Sequence, residues 1–110
     1  MKNNLNIAIP VEKQKVSTDV EHCANFFRFE IDLSKNRVAC VTLLDIPPTA
    51  IKERIFWLSE RCVDMLLFSG INPTINEICA EKGIAVLSGF LEEKPLRAIE
   101  RYLKNRSTVL

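Results

Sequence analysis

Two short and nearly unbroken apolar runs, Val63 to Phe68 (VDMLLF) and Ile84 to Leu87 (IAVL), alternate with helical stripes through the second half of the chain. Runs of this kind suit strands covered on both faces of a parallel sheet. Between them, Asn72-Pro73 supplies a helix cap with proline at the first helical position. Ile75, Ile78 and Cys79 then form an apolar stripe, and Gly83 is placed to close the helix in a left-handed conformation. Ahead of the first run, Ile51, Ile55, Leu58 and Cys62 recur at helical spacing, with Thr49 as the expected N-cap. A last helix is expected from Glu92 to Lys104, with Pro95 in its first turn and Leu96, Ile99 and Leu103 facing inward. Strands alternating with helices predict crossover connections around a parallel core.

The first half has a different period. Leu5 to Ile9 alternates and stops at Pro10, which predicts a first strand. Glu12 to Glu21 is polar and rich in possible turns. Asn25 to Leu33 sets Phe27, Phe29, Ile31 and Leu33 on one face, and Phe26, Arg28, Glu30 and Asp32 on a wetter one. After Ser34-Lys35-Asn36 the strand pattern resumes from Arg37 to Ile46, so these two runs predict an antiparallel hairpin, ended by Pro47-Pro48. The order is strand, hairpin, helix, strand, helix, strand, helix, which predicts one α/β domain with a mixed sheet. It spans residues 5–104 and leaves a patternless tail at 105–110.

Several function classes drop out at this point. Fifteen Lys and Arg against fourteen Asp and Glu give a formal charge of +1, without the basic excess that a nucleic-acid binder needs to displace counterions. No apolar run reaches the ~20 residues that cross a bilayer. Met1-Lys2-Asn3-Asn4 leads into a strand without a signal-peptide block, so a cytoplasmic protein is expected. Three glycines spell neither of the phosphate-binding loops of nucleotide enzymes. The four cysteines stand at least seventeen residues apart, which excludes a CxxC zinc or redox motif. Cys40, Cys62 and Cys79 are expected to be reduced, buried and inert.

Two places remain where chemistry fits. In an open α/β sheet, ligands favour the crevice beyond the carboxyl ends of the parallel strands. The loop after Pro10, the Pro47-Pro48 corner, the Ser69-to-Pro73 turn and Ser88-Gly89-Phe90 should meet there. Ser69, Gly70 and Asn72 precede a helix N-terminus, whose free N–H groups favour an anion; the same pattern also serves as a tight, well-capped connection. His22, the only histidine, adjoins Cys23. Imidazole and thiolate suit zinc, copper and iron–sulfur clusters, but two neighbours are too few for a closed mononuclear site. They fit better as caps on a preformed metal–sulfur cluster, or simply as a packed pair at the entrance of a strand. A Cys–His hydrolase is disfavoured, since sequence neighbours rarely face each other.

Asn6 to Pro10, Val16-Ser17 followed by Ala24 to Phe27, and Asp64 to Ile71 running on to Gly83 through Val86 resemble the dinitrogenase iron–molybdenum cofactor biosynthesis family. That family includes NifX- and NafY-type carriers and the C-terminal domain of NifB. The resemblance covers nearly the whole chain, from Leu5 to Leu103. It implies a three-layer α/β/α ribonuclease-H-like fold with a five-stranded mixed sheet. It also implies non-enzymatic binding, carriage or insertion of an iron–sulfur or iron–molybdenum cluster, together with a partner protein in cofactor assembly. Family members carry a Ser-x-His-Phe-Gly-type motif before the second strand. Ser17 to Ala24 (STDVEHCA) replaces it here: the Phe-Gly is missing, the histidine falls three residues later and a cysteine follows it. The family's ligand position therefore maps onto His22, Gly70 matches a family glycine, and Cys23 is added from its chemistry.

The expected site is thus His22 and Cys23 as metal ligands, with Ser69, Gly70 and Asn72 donating to the cluster. A second reading keeps the fold as a cofactor-free interaction or regulatory module, with Phe26 or Phe56-Trp57 as contact residues. An enzyme acting on a small anion in the same crevice is a third.

Overall fold

The computed structural model describes residues 3–70, 72–88 and 94–108. Ile7, Ala8 and Ile9 are completely buried, because strand β1 (Asn4–Glu12) runs through the middle of the sheet with side chains covered on both faces. On one flank lies the predicted hairpin, β3 (Asn25–Asp32) and β4 (Arg37–Asp45), antiparallel to each other and to β1. On the other lie β5 (Met65–Leu67) and β6 (Ala85–Leu87), both parallel to their inner neighbour. The order across the sheet is β4-β3-β1-β5-β6.

Five strands were expected, and six are present among the described residues. The additional one is β2 (Lys15–Val16), which folds back on the end of β1. Lys13 and Gln14, the two residues between them, have φ of 52° and 66°, the left-handed pair that a tight primed hairpin turn demands. The first strand also runs on past its expected stop at Pro10. The Pro10 carbonyl accepts from the Ser17 N–H at 2.8 Å, so the missing N–H lies on the flank away from β3 and interrupts no bond to that strand.

Helices α1 (Ile51–Glu60) and α2 (Pro73–Glu81) pack on one face of the sheet. Ile55, Leu58, Ile75, Ile78 and Cys79 meet Ala8, Phe26, Leu44 and Leu66 there. Helix α3 (Pro95–Thr108) packs on the other face, where Ala98 and Ile99 meet Ile7, Ile9, Phe29 and Ile31. These two clusters are the core. Because β4 and β5 both run parallel to β1, α1 is a crossover that carries the chain over β3 and β1. The result is a mixed α/β fold in which β1, β5 and β6 end along one edge.

Several expectations need correction. Phe26, assigned to a wetter face and to a contact surface, is fully buried because α1 covers its end of the sheet. Helix α1 begins after Ala50, and Thr49 makes no cap; its hydroxyl reaches only the Pro47 carbonyl at 3.5 Å. Cys62 falls beyond that helix, at φ 63°, and is exposed. Cys40 is exposed as well, since it lies on β4 at the border of the sheet; only Cys79 among these three is buried. Leu96 points outward and Ala98 takes its place. The start of the last helix, expected at Glu92, lies outside the described residues. Its end runs through the supposed tail to Thr108, where the Asn36 turn ties it down. Asn36 Nδ2 donates to the Leu103 carbonyl at 3.2 Å, and Arg106 donates to Asn36 Oδ1 at 2.7 Å.

Candidate functional site

The polar loop between β2 and β3 is built from short side chains that replace a regular ladder. The Ser17 hydroxyl donates to the Glu12 carboxylate at 3.2 Å and accepts from the Asp19 N–H at 2.9 Å. Asp19 Oδ1 then accepts from the His22 N–H at 3.0 Å, and the Cys23 N–H donates to the Asp19 carbonyl at 3.2 Å. These bonds close the loop on itself. The Ser69 N–H donates to the Ser17 carbonyl at 3.3 Å, which joins this loop to the turn after β5.

Beneath the loop lies Arg54, which is 2% exposed. Its Nε donates to the Val20 carbonyl at 3.1 Å, Nη1 to the Pro47 carbonyl at 3.3 Å, and Nη2 to the Cys23 carbonyl. Its guanidinium also lies 6.0 Å from the Phe26 ring centre. One side chain of α1 therefore fixes both the His22 loop and the Pro47-Pro48 corner. Burial pulls the guanidinium below its ordinary pKa, and the nearby Cys23 and Asp19 oppose that shift. The sequence carried a signal for this residue: Arg54 interrupts the apolar stripe of α1, three residues after Ile51 and four before Leu58. A charge on a buried face has to be satisfied, and three carbonyls do so.

His22 and Cys23 line the same cavity, about 390 Å³, together with Glu12, Lys13, Asp19 and Asn25. They present themselves differently. The His22 side chain is 79% exposed, with Nδ1 3.1 Å and 3.2 Å from the two Asp19 carboxylate oxygens. A carboxylate at Nδ1 holds the proton there and leaves the Nε2 lone pair for a ligand, the usual support of a metal-binding imidazole. Cys23 is buried, and its Sγ lies 3.0 Å and 3.1 Å from the Val11 and Asn25 carbonyl oxygens, to one of which its single proton can be donated. It can serve a metal only by losing that proton and turning from the two carbonyl oxygens. Among the described residues no group of three or more His, Cys, Asp or Glu side chains could hold a metal ion.

The Ser69 turn faces a neighbouring cavity of about 340 Å³ that shares Glu12 and Lys13 with the first and adds Lys15, Ser17 and Thr18. Ser69 is buried, and Gly70 takes a φ of 104°, which a side chain would strain. Asn72 is the N-cap of α2: its Oδ1 accepts from the Ile75 N–H at 3.2 Å. The cap is as predicted, and it already occupies the side-chain oxygen. Of the four segments expected at this edge, the loop after Pro10 meets the Ser69 turn directly and is tied to the Pro47 corner through Arg54. Gly89 and Phe90 of the fourth lie outside the described residues. Asp19, Glu12 and Lys13 are the site residues that sequence reasoning missed, since a polar loop gives no period by which to single them out.

No family model matches the chain, and no curated protein matches it. Solved structures do. The fold is similar to the apo form of the orange protein from Desulfovibrio gigas, with a TM-score of 0.71 and 15% identity over 92% of this chain and 88% of that one. It is similar to a "putative dinitrogenase" from Methanocaldococcus jannaschii, at 0.72 and 17%, over 96% of this chain and 92% of that one. It is also similar to a "putative NifB protein" from Thermotoga, at 0.69 and 17%, over 93% and 90%. At such identities the likeness establishes a shared fold.

Proposed function

We propose that this chain is a small non-enzymatic accessory protein on a three-layer ribonuclease-H-like framework, which binds a preformed iron–sulfur or iron–molybdenum cluster as cargo. The observation that carries the reading is His22: it is exposed, steered by Asp19 through Nδ1, and open at Nε2 beside a polar cavity. One oriented imidazole without a converging ligand set suits a cluster that brings its own coordination better than a bare ion. Lys13 borders both cavities, and Lys15 and Ser69 border the second; the two lysines offset the Glu12 and Asp19 carboxylates of the same walls. Cys23 is a reserve ligand whose thiol must first turn from the backbone carbonyls around it. The fold shared with the orange protein, and with neighbours named for dinitrogenase and NifB, supports the same theme.

A second reading, a cofactor-free interaction module, is favoured by one observation: the Cys23 thiol is directed at backbone carbonyls. Anaerobic protein challenged with reconstituted cluster separates the two by metal content and visible absorption. The carrier reading predicts stoichiometric uptake that is lost in His22→Ala and reduced in Cys23→Ser. Wild-type protein that takes up no cluster overturns it in favour of the module.

A further inference from the structure

Phe27 and Phe29 of β3 stand directly opposite Leu43 and Val41 of β4, so the four share one face of the sheet, the face on which α3 packs. The helix does not cover all of it. Val41 and Leu43 stay 48% and 55% exposed, and with Leu96 of α3 and the two phenylalanines they line a groove of about 670 Å³. An apolar floor of this extent with a few polar groups at its rim is the usual form of a small-molecule site.

The rim has a definite chemistry. Among the described residues its charged side chains are Lys13 and Lys94, no carboxylate lines it, and neither lysine is in an ion pair. Gln14 and Asn25 add amide donors. A second observation concerns how Lys13 and Gln14 reach this rim. Their turn holds both at positive φ, 52° and 66°, a conformation that asparagine or glycine adopts with less strain. Strain retained at a cavity rim points to a use for the side chains that bear it. We infer that the groove binds a small organic acid, with its apolar body on Phe27, Phe29, Val41 and Leu43 and its carboxylate at the lysine rim. Two residues along each strand give a floor ~7 Å long, which suits an aryl ring or a short alkyl chain. The groove shares Val11, Lys13 and Asn25 with the His22 cavity, but among the described residues no His, Cys, Asp or Glu lines it, so this site does not depend on the cargo reading.

Amide NMR titration of the full chain with octanoate, and with octanol as its uncharged match, tests this. Octanoate is expected to saturate with a Kd of ~1 mM and to shift the amides of Phe27, Phe29, Val41, Leu43 and Leu96, while octanol binds ~5-fold more weakly. The double variant Lys13→Asn, Gln14→Gly should weaken octanoate ~5-fold and leave octanol unchanged; its relieved turn keeps the thermal midpoint from falling, so the loss is not one of folding. Lys94→Gln should weaken octanoate ~3-fold. Leu43→Asp, at a half-exposed position, should remove both ligands with the circular dichroism spectrum unchanged. The absence of a saturable shift up to ~10 mM overturns the inference, as does octanol that binds as tightly as octanoate. Octanoate affinity indifferent to both lysine changes overturns it too, and a dimer in sedimentation that Leu43→Asp dissolves would assign the groove to a second copy instead.

Discussion

Replacing Arg54 by methionine isolates what a single buried cation contributes to this fold. Methionine fills most of the volume and removes every donor, so the carbonyls of Val20, Pro47 and Cys23 lose their partners together. A buried carbonyl left unsatisfied costs ~1–3 kcal/mol, and the relief of no longer burying a charge returns part of that. With three carbonyls exposed to this loss, a net destabilisation of ~2–4 kcal/mol follows. Against a total of ~5–15 kcal/mol for a domain, that is a large fraction. Urea unfolding followed by the fluorescence of Trp57, the only tryptophan, gives the number directly. At an m-value of ~1–2 kcal/mol per molar, the midpoint should fall by ~1–4 M. Arg54→Lys should lie between, because an ammonium on a shorter stem cannot reach three divergent carbonyls. Amide exchange should also quicken first between Val20 and Ala24. A variant within ~0.5 kcal/mol of wild type, the range of an inconsequential surface change, would refute the assigned role of Arg54.

Three further outcomes follow from the same structure. Asp32 accepts from the Ser34 hydroxyl at 2.6 Å and from the Ser34 and Lys35 N–H groups, which holds its carboxyl below the ordinary value of 3.8. Because the folded value is the lower one, the stability that Asp32 lends is complete above the unfolded value and disappears as pH falls through the folded one; carboxyl NMR titration should show Ser34→Ala raising it toward the ordinary value. Cys79 has its pKa pushed up to about 11 by burial, so in the native state a thiol reagent should modify the exposed Cys40 and Cys62 quickly and Cys79 only after unfolding; rapid native labelling of Cys79 would contradict its place in the core. Lys13-Gln14 occupies a turn that asparagine and glycine fill with less strain, so the Lys13→Asn, Gln14→Gly variant should raise the thermal midpoint by ~5 °C, and a lowered midpoint would show those side chains to be needed where they stand.

What the sequence made legible is the part ruled by period. The α2 cap at Asn72-Pro73, the left-handed Gly83, the β3–β4 hairpin and the two short parallel strands all follow from spacing that one element sets by itself. The rest depends on which elements become neighbours. Phe26 was assigned to the wetter face because alternation gives two faces without saying that α1 covers the second. Cys40 looked like core because β4 carries strand residues, and only the strand order puts it at a border. Strand β2 was hidden because Lys13-Gln14 lacks the usual hairpin composition. At the site, His22 could be singled out as the sole histidine. Its orientation by Asp19 and the anchoring of its loop by Arg54 come from contacts that composition does not encode.

The central claim is that cargo is held at the edge where the His22 loop meets the Ser69 turn. An amide NMR spectrum of the wild-type chain, recorded without oxygen before and after addition of one equivalent of reconstituted cluster, tests it most directly. The account predicts broadening or shifts confined to Glu12 through Asn25 and Ser69 through Asn72, with the exposed face of α3 unchanged. A spectrum that does not respond, or one whose changes centre on α3 or on β4, would contradict it.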